Sequence, residues 1–172
     1  MGSASWRTSW RKVVAPILLS LVLLLSACSY SSPYDDVQEE TTGRDAPAAV
    51  SDEAQKGGSF NQFFPRSQDG YDVVPAQEKQ GFAEYKVNRD GTNVAMLSIN
   101  DTTSNPDAKQ KFASSTRQVA GYPVVDIGNN QTAALVADRY QVKVQSRDES
   151  FQKEDRETWL SKFNLTGLAQ LK

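Results

Sequence analysis

Residues 59–172 predict an α+β domain: an antiparallel sheet of about five strands with helices against one face, in the order α-β-β-α-β-β-β-α. Three observations carry that expectation. Five short runs alternate apolar and polar residues, tight-turn residues separate the neighbouring runs, and apolar residues recur at helical spacing in the middle and at the C-terminal end.

Taken in order, Ser59 caps a short helix that carries Phe60, Phe63 and Phe64 and stops at Pro65. Phe82 to Val87 and Val94 to Ile99 alternate, and Asn88-Arg89-Asp90-Gly91 between them supplies the Asp-Gly turn of a hairpin. Asn105 followed by Pro106 is a cap with proline at the first helical position, and Ala108 and Phe112 continue a helix to about Thr116. Tyr122 to Ile127, Thr132 to Ala137 and Tyr140 to Gln145 are three further strands, turning at Gly128-Asn129-Asn130 and at Ala137-Asp138. In the last of them Tyr140, Val142 and Val144 alternate with polar residues, as a strand with one buried and one wet face requires. Arg156, Trp159, Leu160 and Phe163 then stand at i, i+3, i+4 and i+7 of a final helix. The 114 residues hold 14 acidic and 14 basic side chains and can support one modest core.

The N-terminal part has a different composition. Residues 1–27 contain Arg7, Arg11 and Lys12, an apolar run from Val13 to Leu25, and no acidic residue. At about 13 residues the run falls short of the roughly 20 that a bilayer helix needs, so it is expected to be a removed signal peptide. It ends in Leu25-Ser26-Ala27-Cys28, which resembles the lipobox of bacterial lipoprotein precursors at all four positions. The resemblance implies cleavage between Ala27 and Cys28, a diacylglycerol thioether on Cys28 and acylation of the new amino group. More than one acyl chain is physically sensible, because one alone binds a membrane only marginally.

Residues 28–58 are expected to be the lipidated Cys and a disordered acidic tether. Seven acidic residues stand against Arg44 and Lys56, apolar residues are scarce, and Gly57-Gly58 closes the segment as a flexible joint. Such a spacer reaches roughly 30 Å.

Within the domain, Gly-Phe-Ala-Glu-Tyr-Lys (81–86), Ala-Gly-Tyr-Pro-Val-Val (120–125), Asp-Arg-Tyr-Gln-Val-Lys-Val (138–144) and Asp-Arg-Glu-Thr-Trp-Leu (155–160) are similar to stretches of a group of small cyanobacterial lipoproteins. This resemblance implies a membrane-attached location facing the periplasm or the thylakoid lumen.

The chain contains no His and one Cys, which removes Ser-His-Asp and Cys-His activation, imidazole metal ligands and an internal disulfide. Ser114-Ser115-Thr116-Arg117 lacks the Ser-x-x-Lys spacing of acyl transferases, and Gly121 and Gly128 make no phosphate loop. No catalytic residues, metal or cofactor are therefore expected. Without residues 1–27 the chain has 16 basic and 21 acidic residues, a charge of −5 that disfavours nucleic acid as a partner.

The candidate interaction surface is a positive stripe of Arg139, Lys143 and Arg147, flanked by Tyr122 and Tyr140. The expected function is a non-enzymatic accessory domain, held at a membrane through Cys28, that binds a protein partner. The alternative is a small-ligand or lipid-binding module with its pocket between the sheet and the Phe-bearing helix.

Overall fold

The computed structural model describes residues 50–172. They belong to a compact unit running from Ala48 to Lys172. Its strands are β1 (Tyr71–Lys79), β2 (Phe82–Arg89), β3 (Thr92–Asp101), β4 (Arg117–Val119), β5 (Tyr122–Ile127), β6 (Gln131–Val136) and β7 (Tyr140–Ser146). All seven lie in one antiparallel sheet in the order β1-β2-β3-β7-β6-β5-β4. Two helices follow, α1 (Lys153–Ser161) and α2 (Leu165–Ala169), and three 3-10 helices are η1 (Gly57–Phe63), η2 (Thr102–Ser104) and η3 (Pro106–Phe112).

This architecture corrects the expected fold class, because a seven-stranded, mostly β structure replaces a five-stranded α+β arrangement. Two strands escaped the alternation pattern. β1 contains Pro75 and a register shift between Pro75 and Gln77, so its side chains do not alternate cleanly. β4 has three residues and follows directly where the second helix was expected to end, at about Thr116. That second helix and the first are 3-10 segments, and η1 starts at Gly57 with no side-chain cap instead of at Ser59.

Hairpins build the sheet from both edges inward. β1, β2 and β3 run in succession from one edge, then η2 and η3 carry the chain to the other edge. From there β4 to β7 return by hairpins, and β7 pairs with β3, setting Leu97 opposite Val144 and Ile99 opposite Val142. The Asp90-Gly91 turn lies between β2 and β3 with φ of 51° and 77°, the left-handed pair a two-residue hairpin needs.

One sheet face carries the main core. Val87, Leu97, Ile99, Ala134, Val136, Val142 and Val144 are buried under Trp159, Leu160, Phe163, Leu165 and Leu168 of the C-terminal helices and their linker, and under Phe60, Phe63 and Phe64. Phe64 stacks on Tyr85 with ring centroids 4.1 Å apart, and Trp159 meets Tyr71 edge-on at 5.4 Å. A capping box starts α1: the Gln152 N–H donates to Asp155 at 2.8 Å, while the Gln152 side chain accepts from the Asp155 N–H.

The second face is covered only in part, so the helices are not confined to one side. Phe112 of η3 packs there on Ala133 and Leu135, beside Val125 and Ile127.

The domain also begins earlier than Ser59. Ala54 is buried, the Gln55 carbonyl accepts from Gly81 N–H at 2.6 Å, and Gly57 lies against the β1–β2 backbone so closely that a Cβ would stand 2.5 Å from the carbonyl oxygens of Lys79 and Phe82. Gly57 is thus a close-packing residue in place of the expected joint. Ala27, Cys28 and residues 29–49 of the expected tether lie outside the described residues. Among those described, no helix is long and apolar enough to cross a membrane.

Candidate functional site

Arg139, Lys143 and Arg147, expected as one stripe, occupy three different environments. Arg139 precedes β7 and is bound to Asp101, with Nε 3.1 Å from Oδ1 and Nη2 2.8 Å from Oδ2. Asp101, whose side chain is 0% exposed, also accepts from the N–H groups of Gln55 and Thr103 and from the Thr103 hydroxyl. Burial alone would raise its pKa, but these hydrogen bonds from Arg139, Thr103 and Gln55 prevail and lower it to about 2. Since Arg139 Nη2 also donates to the Glu53 carbonyl, the pair fastens residues 53–55 to the sheet. Arg147 lies past the end of β7, where its N–H donates to the Val94 carbonyl.

The tyrosines point inward. Tyr140 is 1% exposed and its hydroxyl donates to the Leu171 carbonyl at 3.1 Å; Tyr122 is half-buried against the main core. Tyr140 therefore has no exposed edge to offer a partner. The space between sheet and Phe-bearing segment is filled by Phe60, Phe63 and Phe64, all buried, with Phe60 edge-on to Tyr140 at 5.8 Å.

Lys143 alone of the three cations projects from the second sheet face, with Gln141 and Gln145 on either side, because alternate β7 residues share that face. Strand pairing places other residues beside it. Ser98 and Glu84 continue the row of Lys143, while Met96, Lys86 and Val74 continue the row of Gln145. Lys79 pairs with Phe82 at the next row and holds its ammonium 5.3 Å from that ring. Lys111, at the end of η3, is near enough that its pKa is lowered, first by partial desolvation and then by the charge of Lys143.

On this face Met96, Ser98 and Gln141 of β3 and β7 are buried, while Val74, Lys79 and Lys86 toward the β1 edge are exposed. None of Lys79, Lys86, Lys111 and Lys143 forms an ion pair there. Glu84 and Asp72 are the acidic residues that alternation places on the same side, so the face is basic although the domain as a whole is neutral.

Arg156, which the sequence places on the stripe of the final helix, is the charged residue with the most unusual surroundings. It is 5% exposed. Its Nε donates to Thr132 Oγ1 at 3.0 Å, Nη1 to Ser146 Oγ at 2.9 Å and Nη2 to the Asn129 carbonyl at 3.4 Å. No carboxylate pairs with it among the described residues. The nearest link to one is indirect: the Thr132 hydroxyl donates to Asp126 Oδ1 at 2.9 Å, while Asp126 Oδ2 already accepts from Arg117 at 2.7 Å and Lys153 at 2.8 Å. Burial opposes ionisation of Asp126, yet the bonds from Lys153 and Thr132 and the charge of Arg117 hold its pKa below the usual range. The signal was present in the sequence, since Arg156 occupies the i position of the helix stripe completed by Trp159, Leu160 and Phe163.

No protein-family model, curated protein or solved structure matches this chain.

Proposed function

We propose that this chain is a lipid-anchored, non-enzymatic accessory domain, attached through Cys28 to a membrane on the periplasmic or thylakoid-lumenal side, that docks an acidic protein partner on the lysine-bearing face of its sheet. The carrying observation is the set of four lysines on that face, Lys79, Lys86, Lys111 and Lys143, which have no carboxylate partner among the described residues. Such charges lose little by meeting acidic groups, because no internal ion pair must first be broken. They also steer encounter over a distance of about the Debye length, roughly 8 Å in physiological salt. Exposed Val74 and the Phe82 ring add apolar area at the edge of the patch. The lipobox resemblance supports the anchor.

The test uses the full chain, tagged at its C-terminus and recovered from solubilised native membranes in mild detergent. The expected result is a partner retained at low salt, released at high salt and lost on the double reversal Lys86→Glu and Lys143→Glu. Mass spectrometry is expected to find an acylated Cys28 at the amino terminus. Recovery of the chain alone across all conditions, or retention of the partner by the reversed variant, would overturn the docking surface; an unmodified Cys28 would overturn the anchor.

A further inference from the structure

A shallow, open cleft of about 260 Å³ lies between the β5–β6 turn, the end of β7 and the start of α1, and Arg156 lines it together with Arg147, Asp148, Glu149, Phe151 and Asn129. A guanidinium has five N–H donors. Three are taken, all by neutral oxygens, and the longest of these bonds is 3.4 Å. A buried cation without a counter-ion is costly to desolvate, and breaking a buried pair is expensive for the same reason. A cleft lined by such a cation is suited to a carboxylate, which offers two oxygens to a planar fork.

The rim has the opposite character. Arg147, Asp148 and Glu149 are exposed there and sum to one negative charge. Asp148 accepts from the Ser150 N–H at 2.9 Å; its pKa is lowered by that loop's bonds, so it stays ionised at neutral pH. A simple anion would cross an acidic rim to reach Arg156. A molecule with an ammonium at its outer end would satisfy both ends.

We infer that this cleft binds a small zwitterion of the amino-acid class, its carboxylate on Arg156 and its ammonium toward Asp148 and Glu149. The volume suits a molecule of that size. Phe151, which is buried and lies with its ring centroid 6.3 Å from that of Trp159, provides an apolar wall for a short side chain.

The experiment titrates the full chain in detergent micelles with glycine, acetate and inorganic phosphate, following the Arg156 Nε–H resonance, assigned through its proximity to the Thr132 methyl. Glycine is expected to shift it saturably, with acetate at least about tenfold weaker. In the double variant Asp148→Asn and Glu149→Gln, whose sites are exposed and outside the core, that advantage over acetate is expected to vanish. Absence of a saturable glycine shift, acetate or phosphate binding as tightly as glycine, or an undiminished advantage in the rim variant would each overturn the inference.

Discussion

Two residues show most directly how local chemistry fixes this domain. Gly57 has no room for a side chain, since its Cβ would meet the backbone of Lys79 and Phe82 at 2.5 Å, whereas a Cβ on Gly58 would meet only the flexible end of Glu78 at 3.4 Å. Gly57→Ala is therefore expected to cost about 1–3 kcal/mol and Gly58→Ala close to nothing, by urea unfolding. Equal effects would show that the segment does not pack on β1 and β2. Asp101 makes the complementary case through charge. Its folded pKa of about 2 lies below the ordinary aspartate value, so its contribution is complete above about pH 4 and disappears as the pH falls toward 2. The shift corresponds to about 2 kcal/mol. Asp101→Asn should lower stability at neutral pH and flatten the loss between pH 4 and 2. Unfolding midpoints measured at both pH values would refute the assignment if variant and wild type fell equally. Gly57-Gly58 has the sequence of a flexible joint until the neighbouring strands are in place, and Asp101, which caps η2 through the Thr103 N–H, shows its ion pair with Arg139 only once β3 and β7 are paired.

At the scale of elements, legibility followed the regularity of each strand. The β2–β3 hairpin and β5, β6 and β7 were readable because alternation and turn residues agreed. β1 was hidden by Pro75 and its bulge, features that also suit an edge strand, where missing donors and irregular pairing discourage association with other chains. β4 was too short to leave a pattern. The lysine face was legible only at Lys143, because assembling it requires the register of four strands. The same register separates Lys143 from Arg139 and Arg147. Turn chemistry offers a direct check on the β6–β7 hairpin, whose central residues Ala137 and Asp138 both have positive φ, 51° and 50°, without a glycine. A left-handed residue with a Cβ costs about 1–2 kcal/mol, part of which glycine returns through its freer unfolded state. Ala137→Gly is thus expected to raise stability by up to about 1 kcal/mol, with the Lys109–Asp138 ion pair at 2.9 Å unaffected. Ala134→Gly, in the buried strand β6, is expected to lower it. A destabilised Ala137→Gly protein, by thermal unfolding, would refute the strained turn.

For the molecule as a whole, the contacts of residues 50–58 decide where folding ends and attachment begins. The acidic composition of this stretch looks like spacer, yet its backbone does work that the sheet would otherwise leave undone. Gln55 donates its N–H to Asp101 at 3.0 Å and accepts from Gly81, the Glu53 carbonyl accepts from Arg139 at 3.0 Å, and the Gln55 side chain donates to the Lys172 carbonyl at 2.6 Å. Residues 53–55 thus belong to the folded domain and not to the expected spacer. Removing residues 48–58 would strip a bond from the buried Asp101 carboxylate, uncover the wall against Ala54 and delete the start of η1. Each lost hydrogen bond is worth about 1 kcal/mol, so a fragment beginning at Ser59 should be less stable by at least about 3 kcal/mol than one beginning at Ala48. That is a large share of the 5–15 kcal/mol typical of a domain. Urea unfolding of the two fragments, followed by emission from Trp159, their only tryptophan, measures the difference. Equal midpoints would return residues 48–58 to the tether, and the Asp101–Arg139 pair would then secure only the β3 and β7 ends of the sheet.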